Sequence, residues 1–227
     1  QVWRDMLTDL TLRFEALIDS QLVPTEPLRA SFIIDRASRL FADQNPLVVT
    51  DVGQHQMFAA QYFRIESPNS FLTSGGLGTM GFGLPAAIGG SYGCPDRPTI
   101  LVVGDGGMQM TMQELGLLEA LNLPVFIMII DNSTLGMVRQ WQTLFFDEHY
   151  SQSMLNNNPD FIKIAEAYGI DGKEVFSAAA FDEAVADFQS NPRPYVTRIH
   201  VETFENVFPM IPAGKGPGDL IMPGFEQ

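Results

Sequence analysis

The stretch Val102-Val103-Gly104-Asp105-Gly106-Gly107 places an acid and two glycines directly after an apolar, β-branched run. A second run of the same kind ends in Ile129-Ile130-Asp131-Asn132. A helix-like segment lies between the two runs, so they are predicted to be neighbouring parallel strands. Asp105 and Asn132 would then emerge together at the carboxyl edge of the sheet, where open α/β sheets bind ligands.

A carboxylate and an amide at one sheet edge suit a small, hard cation. Mg²⁺ prefers oxygen ligands and takes the rest of its shell from water or substrate phosphates. Gly106 and Gly107 carry no Cβ that would obstruct an anion, and the helix after them offers unpaired N–H groups. The pair therefore predicts a metal-bridged diphosphate, although each motif taken alone is also an ordinary turn after a strand.

Apolar runs and amphipathic segments alternate along the chain, which predicts an α/β fold with a mostly parallel sheet and helices on both faces. Strands are predicted at 46–51, 70–73, 98–103, 124–130 and 195–201, and helices at 1–21, 28–43, 54–62, 111–122, 161–168 and 181–188. The segment 75–93 is rich in Gly and Ala, which is typical of a helix packed close against a sheet.

Composition narrows the class of protein. A chain of 227 residues with 45% hydrophobic side chains is expected to form one compact domain. Its 13 Lys and Arg residues are scattered and its net charge is −14, which argues against nucleic-acid binding. No membrane span or secretory signal is predicted. The single cysteine, Cys94, is expected to be a small buried residue in a reducing compartment, the cytoplasm or an organelle stroma or matrix.

The order Gly-Asp-Gly, 25 residues and then Asn resembles the cofactor signature of thiamine diphosphate enzymes. Three longer motifs resemble the acetohydroxyacid synthase (acetolactate synthase) family more closely. They are Thr50-Asp51-Val52-Gly53-Gln54-His55-Gln56-Met57, Ser74-Gly75-Gly76-Leu77-Gly78-Thr79-Met80-Gly81 and Leu135-Gly136-Met137-Val138-Arg139-Gln140-Trp141. The resemblance runs from about residue 26 to the C-terminus and implies a thiamine diphosphate-binding fold.

The resemblance also implies a domain organisation. Residues 1–25 are expected to be a linker helix from a missing upstream domain, 26–204 the C-terminal thiamine diphosphate- and Mg²⁺-binding domain, and 205–227 a C-terminal lid or tail. In relatives an upstream domain carries the glutamate that protonates the cofactor's pyrimidine ring, and no residue here maps onto it. The expected partner is therefore the N-terminal half of the catalytic subunit, as the rest of a longer chain or as a natural split subunit, within a homo- or hetero-oligomer. Many relatives bind FAD, mainly through the missing domains, and a small regulatory subunit.

The resemblance assigns site residues by position. The implied metal ligands are Asp105, Asn132 and the backbone carbonyl of Thr134. Many relatives have Asn-Asn and a Glu where this chain has Asp131-Asn132 and Thr134. The departure at Thr134 matters little if only its carbonyl binds. The implied cofactor-binding set is Val52, Gly53, Gln54, His55, Gly78, Met80, Gly106, Gly107, Leu135, Gly136 and Met137, with Gln54 and His55 expected to end a strand. The implied substrate-binding set is Met137, Val138 and Trp141.

Met80 and Gly78 are the implied catalytic residues. Met80 would support the bent shape of the cofactor, and the Gly78 carbonyl would accept a hydrogen bond from the pyrimidine amino group. On composition alone Met80 would fill core, as would a Met and Trp stripe such as Met137 and Trp141. His55 also has a purely structural interpretation, which is the favoured one for His149 and His200. Arg139 is assigned no role.

The chemistry implied is decarboxylation of pyruvate and transfer of the two-carbon unit to pyruvate or 2-ketobutyrate, in branched-chain amino-acid biosynthesis. Other thiamine diphosphate enzymes, such as glyoxylate carboligase, pyruvate oxidase or a keto-acid decarboxylase, would share Asp105 and Asn132 without the Trp141 segment. A noncatalytic cofactor-binding scaffold half is a further alternative. A receiver-like domain with Asp105 as phosphate acceptor would leave Asn132 and Met80 unexplained.

Overall fold

The computed structural model describes residues 2–223, apart from the side chains of Leu17 and Gln21, and within this range six parallel strands form one sheet. The strands are β1 (Leu47–Thr50), β2 (Phe71–Thr73), β3 (Thr99–Gly104), β4 (Val125–Asp131), β5 (Asp171–Val175) and β6 (Tyr195–His200). Their order is β2-β1-β3-β4-β6-β5, and every pairing is parallel. The predicted α/β fold is confirmed.

Helices cover both faces of the sheet, as predicted. They are α1 (Val2–Gln21), α2 (Ala30–Leu40), α3 (Gln54–Tyr62), α4 (Gly83–Gly93), α5 (Asp105–Thr111), α6 (Leu115–Ala120), α7 (Gly136–Phe145), α8 (Phe161–Ala167) and α9 (Ala178–Ser190), with 3₁₀ turns at Ala42–Gln44, Met112–Glu114 and Pro217–Asp219. Alternate residues of β4 enter two separate hydrophobic cores, Phe126 on the side of α2, α3 and α9 and Ile127 on the side of α4, α6 and α8. Burial on both faces explains why β4 is apolar at nearly every position.

Two sequence predictions about helices differ from the structure. The helix predicted at 111–122 begins at Asp105 instead, directly after β3, and continues through a 3₁₀ turn into α6. The two glycines after Asp105 hid this start because glycine is a poor helix former. The helix predicted at 54–62 is confirmed as α3, so Gln54 and His55 open this helix and the expectation that they end a strand is wrong. Strand β5 was not predicted, because only Val175 in it is fully buried.

The Gly- and Ala-rich segment contains a helix against the sheet, as predicted, and that helix is α4. A Cβ at Gly90 would lie 2.6 Å from the Leu47 side chain of β1, so glycine permits the close approach. Residues 75–82 form the loop before α4. Cys94 follows the helix and is exposed, so the prediction that it is buried is wrong. The last two residues of α4, Tyr92 and Gly93, are exposed too, whereas Ser91 just before them is buried.

The two ends of the chain behave differently. The predicted N-terminal helix forms as α1, and its apolar residues Trp3 and Leu12 are exposed; residue 1 and the side chain of Leu17 lie outside the described part. Within the expected lid, Val207 and Met210 are buried and Met210 pairs with Ile221, while positions 224–227 lie outside the described residues. No helix in the described part is long and apolar enough to cross a membrane.

Candidate functional site

The carboxyl edge of the sheet brings the predicted residues together around a cavity of about 190 Å³. Gly104 of β3 pairs with Ile130 of β4, so the next residues, Asp105 and Asp131, lie side by side. The predicted residues that line the cavity are Val52, Gly53, Gln54, His55, Gly78, Met80, Asp105, Gly106, Gly107, Asn132, Thr134, Leu135, Gly136, Met137 and Val138. Trp141 does not line it. It lies over Phe145 in an adjoining surface depression that Val138 also lines.

Asp105 is the first residue of α5 and is almost fully buried. Its Oδ2 accepts a hydrogen bond of 2.6 Å from Nδ2 of Asn158, a residue that the sequence analysis did not identify. Burial, together with the neighbouring Asp131 carboxylate, raises the pKa of Asp105 to about 7. A carboxyl with such a pKa binds a proton readily, and a cation in this position would displace that proton.

Asp131 is also buried, but Arg198 compensates its charge. Oδ2 of Asp131 accepts a 2.8 Å hydrogen bond from Nε of Arg198, and Oδ1 accepts one of 2.9 Å from the backbone N–H of Ser133. Although burial alone would raise it, the hydrogen bond and charge of Arg198 hold the pKa of Asp131 below its usual value. Two adjacent carboxylates thus have different protonation behaviour because only one has a cationic partner.

Asn132 and Thr134 form the turn after β4. Oδ1 of Asn132 accepts the backbone N–H of Thr134 at 3.0 Å. The Thr134 hydroxyl is buried and has no hydrogen-bond partner, and no backbone N–H in the described range donates to the Thr134 carbonyl. Unused oxygens in the cavity that Asp105 also lines would suit a hard cation. Within residues 2–223 no group of three His, Cys, Asp or Glu could hold a metal, so this ligand set depends on amide and carbonyl oxygens.

Glycines keep the floor of the cavity open. A Cβ at Gly136 would overlap Oε1 of Gln54 and would lie 2.7 Å from Nδ2 of Asn132. A Cβ at Gly106 would lie 2.8 Å from the Leu135 side chain. A side chain at either position would clash with these neighbours, and both glycines line the cavity.

His55 contributes a neutral imidazole to the same cavity. Burial lowers the pKa of His55 to about 4, so the ring is uncharged near neutral pH. Its Nε2 is buried without a hydrogen-bond partner among the described residues. A buried, unsatisfied ring nitrogen that lines a cavity is expected to bind a polar group of a ligand.

Met80 lies on a loop that a buried aspartate fixes in place. Asp51 Oδ2 accepts the backbone N–H groups of Gly81 at 2.9 Å and Gly83 at 2.8 Å, at the start of α4. Asp51 is fully buried, and a Cβ on Gly107 would overlap its carboxylate. The residue thus joins the Met80 loop to the Gly-Asp-Gly turn. The sequence analysis assigned it no role, although an acid directly after an apolar run is the signal that identified Asp105.

Arg139 is the largest fully buried side chain, and its position was also missed. Its Nη2 donates to the Glu205 carbonyl at 2.7 Å and to Oε1 of Gln54 at 3.3 Å. The Glu205 carboxylate accepts the backbone N–H of Ala30 at 2.7 Å and so caps α2. Arg139 therefore connects the C-terminal segment to the cavity. These contacts join residues far apart in the sequence, which is why no local pattern reveals them.

The remaining histidines have protein partners away from the cavity. Nδ1 of His149 lies 3.0 Å from the Phe146 carbonyl. Nε2 of His200 contacts the Glu174 carboxylate, and its ring stacks on Phe176 at a centroid distance of 4.3 Å. Both environments are those of structural histidines, in agreement with the interpretation from the sequence.

Comparison with known proteins defines the class to which this fold and site belong. Residues 51–199 match the family described as "Thiamine pyrophosphate enzyme, C-terminal TPP binding domain". The chain belongs to this family. A benzoylformate decarboxylase from Polynucleobacter necessarius has a similar fold, with a TM-score of 0.71 and 22% identity over 79% of this chain and 34% of that one.

Within that class, the sequence is similar to large subunits of acetolactate synthase. It is 40% identical to the Escherichia coli acetolactate synthase isozyme 2 large subunit, over 87% of this chain and 36% of that protein. It is 46% identical to the acetolactate synthase large subunit of Parasynechococcus marenigrum, over 77% of this chain and 28% of that protein. The chain thus spans about a third of the length of the curated relatives it matches.

Proposed function

We propose that this chain is the cofactor-binding part of an acetolactate synthase, which decarboxylates pyruvate and joins the two-carbon unit to pyruvate or 2-ketobutyrate. The observation that carries the proposal is the cavity at the carboxyl edge of the sheet. Its lining includes Asp105, Asn132 and Thr134 together with Met80 and Gly78. Similarity to acetolactate synthase large subunits over most of the chain supports the substrate class.

The cation in this proposal is Mg²⁺, held by the Asp105 carboxylate, the Asn132 amide oxygen and the Thr134 carbonyl. The unused oxygens of Thr134 support it, as does the raised pKa of Asp105, since a cation relieves an unfavourable buried carboxylate. The diphosphate of the cofactor would face the backbone N–H groups of Gly106, Gly107 and Gly136 and the free ring nitrogen of His55.

The other cavity residues orient the reactive part of the site. When bound, thiamine diphosphate supplies the group that accepts the electrons released as CO₂ leaves a 2-keto acid. Met80 would press against the middle of the cofactor, and the Gly78 carbonyl would hold the pyrimidine amino group. Met137 and Val138 would exclude water. Trp141 would form the wall for the second keto acid, from the depression it shares with Val138.

The proposal also concerns residues outside this chain. We assign residues 1–25 to a linker from an upstream domain, 26–204 to the cofactor domain and 205–227 to a lid or tail. The N-terminal half of the catalytic subunit would supply the activating glutamate. The cavity of about 190 Å³ is smaller than the roughly 300–1,000 Å³ of typical ligand sites, as expected of a site shared with another part of the enzyme. FAD and a small regulatory subunit would bind mainly through the missing parts. The cytosol or an organelle stroma or matrix is the proposed location.

A product assay tests the proposal. The intact protein, with Mg²⁺ and thiamine diphosphate, is expected to convert pyruvate to acetolactate, detected colorimetrically as acetoin after acid treatment. With 2-ketobutyrate added, acetohydroxybutyrate should form in competition. The 227-residue chain alone should be inactive and should gain activity with the upstream half. Production of free acetaldehyde or acetate as the main product would contradict the proposed reaction.

A further inference from the structure

We propose that Asp131, held by Arg198, sets the affinity of the cation site through its charge without ligating the ion. The inference rests on the proposed Mg²⁺ site at Asp105 and Asn132. It adds a carboxylate that is not among the implied ligands of the cation. Asp131 acts through the electric field at the cation, so it is a positioning residue for the site's charge and not a catalytic residue.

Both oxygens of Asp131 are already occupied. Oδ1 accepts the backbone N–H of Ser133 at 2.9 Å and the Ser133 hydroxyl at 3.1 Å. Oδ2 accepts Nε of Arg198 at 2.8 Å, and Nη2 of Arg198 lies 2.7 Å from it. The Asp131 side chain is 1% exposed. A carboxylate held by its own turn and by a guanidinium is fixed in orientation and is not free to move onto a cation.

Asp131 is nevertheless close to the proposed ligand. Nδ2 of Asn158 donates to Asp105 Oδ2 at 2.6 Å and to Asp131 Oδ1 at 3.2 Å, so these two oxygens are no more than about 6 Å apart. Burial of both side chains keeps water from screening the interaction. The negative charge of Asp131 therefore attracts any cation bound to Asp105.

Arg198 is the opposing charge, and the register of the sheet places it farther from the edge. It pairs with Ile129 of β4, two residues before Asp131, and its guanidinium lies over the Phe161 ring at 5.5 Å. A second contact, 3.4 Å to Glu174, shares part of its charge with a more exposed carboxylate. Arg198 binds Oδ2 of Asp131, whereas Oδ1 is the oxygen that shares the Asn158 amide with Asp105. Asp131 therefore lies between Arg198 and a cation on Asp105, and Arg198 reduces its effect without cancelling it.

Opposite charges at different distances predict opposite responses to mutation. Asp131→Asn, which keeps the shape of the side chain, removes attraction and leaves Arg198 repulsive, so Mg²⁺ should bind at least about tenfold more weakly. Arg198→Gln removes repulsion, so Mg²⁺ should bind several-fold more tightly. Arg198→Lys keeps the positive charge and should retain the wild-type affinity. If Asp131 and Arg198 only maintained the fold, all changes would weaken binding together.

The experiment measures cation affinity on the intact protein. Mg²⁺ is titrated calorimetrically with thiamine diphosphate at saturation, and Mn²⁺ is titrated alone by electron paramagnetic resonance. A pH of about 8.5 keeps Asp105 ionised, since its pKa is raised only to about 7. The matched control is Asp171→Asn, which breaks another Asp–Arg pair, with Nε of Arg193 at 2.6 Å, at the amino end of β5. It should leave the affinity unchanged.

The outcomes separate this inference from the proposed function. If Asp105→Ala leaves Mg²⁺ affinity intact, the proposed cation site is wrong. If Asp105→Ala abolishes binding while Asp131→Asn binds Mg²⁺ as tightly as wild type, the site stands and the inference is overturned. Weakening by both Asp131→Asn and Arg198→Gln, with Arg198→Lys no better, would also overturn it. Opposite shifts in the two variants, for Mg²⁺ and Mn²⁺ alike, would support it.

Discussion

Replacing Asp51 by Asn should loosen the loop that carries Met80 while the rest of the domain stays folded. In the wild type the buried Asp51 carboxylate accepts the backbone N–H groups of Gly81 and Gly83. Gly83 is the first residue of α4, where the helix dipole also favours a negative charge, and Gly81 lies in the loop just before it. The Asn amide keeps the shape of the side chain but removes the charge and replaces one acceptor oxygen with a donor.

The expected loss in the free energy of unfolding follows from these contacts. A hydrogen bond to a charged group contributes roughly 1.5–3 kcal/mol, and a neutral one about 1 kcal/mol. Weakening two such bonds should cost about 1–4 kcal/mol, which leaves a domain of ordinary stability, about 5–15 kcal/mol, folded. The loss should be concentrated locally, because the two N–H groups belong to one short segment.

Urea unfolding measures the total loss, and hydrogen exchange at the Gly81 and Gly83 amides locates it. Both amides should exchange faster in Asp51→Asn, and cofactor affinity should fall with them. The control is Asp43→Asn, an exposed position in the Ala42–Gln44 turn, which should change neither quantity. Wild-type stability in Asp51→Asn, or lost stability with unchanged exchange at both amides, would refute the reasoning.

Three further predictions concern the cavity and the depression beside it. A proton should compete with the cation for Asp105, because the pKa of Asp105 is raised to about 7. The apparent Mg²⁺ affinity should therefore fall about tenfold per pH unit below about pH 7 and level off above it. Mg²⁺ titration at several pH values checks this, and a flat profile would contradict it. Gly136→Ala should abolish cofactor binding and cost about 1–3 kcal/mol of stability, since its Cβ would overlap Gln54, as equilibrium binding and urea unfolding would reveal. Trp141→Ala, outside the cavity, should keep cofactor affinity but lose up to about a hundredfold preference for 2-ketobutyrate over pyruvate in product-ratio assays; an unchanged ratio would make Trp141 a packing residue only.

Local sequence patterns were sufficient to predict the sheet and to place Asp105 and Asn132 at its carboxyl edge. Asp105 and Asn132 each end a buried apolar run, and the position of a residue at the end of a parallel strand does not depend on distant contacts. For the same reason the strand limits of β3 and β4 were predicted to within a residue. The helix start at Asp105 was missed because Gly106 and Gly107 are read as a turn from propensity alone.

The residues that escaped prediction are those whose partners lie far away in the sequence. Asn158 reaches Asp105 across 53 positions, and Arg139 reaches the Glu205 carbonyl across 66. Neither contact produces a periodic pattern in the sequence, because each depends on how distant segments pack at the sheet edge. Cys94 was misjudged for the opposite reason: the average tendency of cysteine to be buried gave no information about the end of α4, which faces solvent.

Calorimetric titration of thiamine diphosphate into the intact protein tests the central claim most directly, with and without Mg²⁺ and in Asp105→Ala and Asn132→Ala. We expect Mg²⁺-dependent binding in the wild type, none in Asp105→Ala, and strongly weakened binding in Asn132→Ala, with urea unfolding showing that both variants are folded. In the proposed site the charge of Asp105 would make it the dominant ligand, whereas Asn132 would contribute a neutral oxygen. Wild-type, Mg²⁺-dependent affinity in folded Asp105→Ala would contradict the assignment of this sheet edge as the cofactor site.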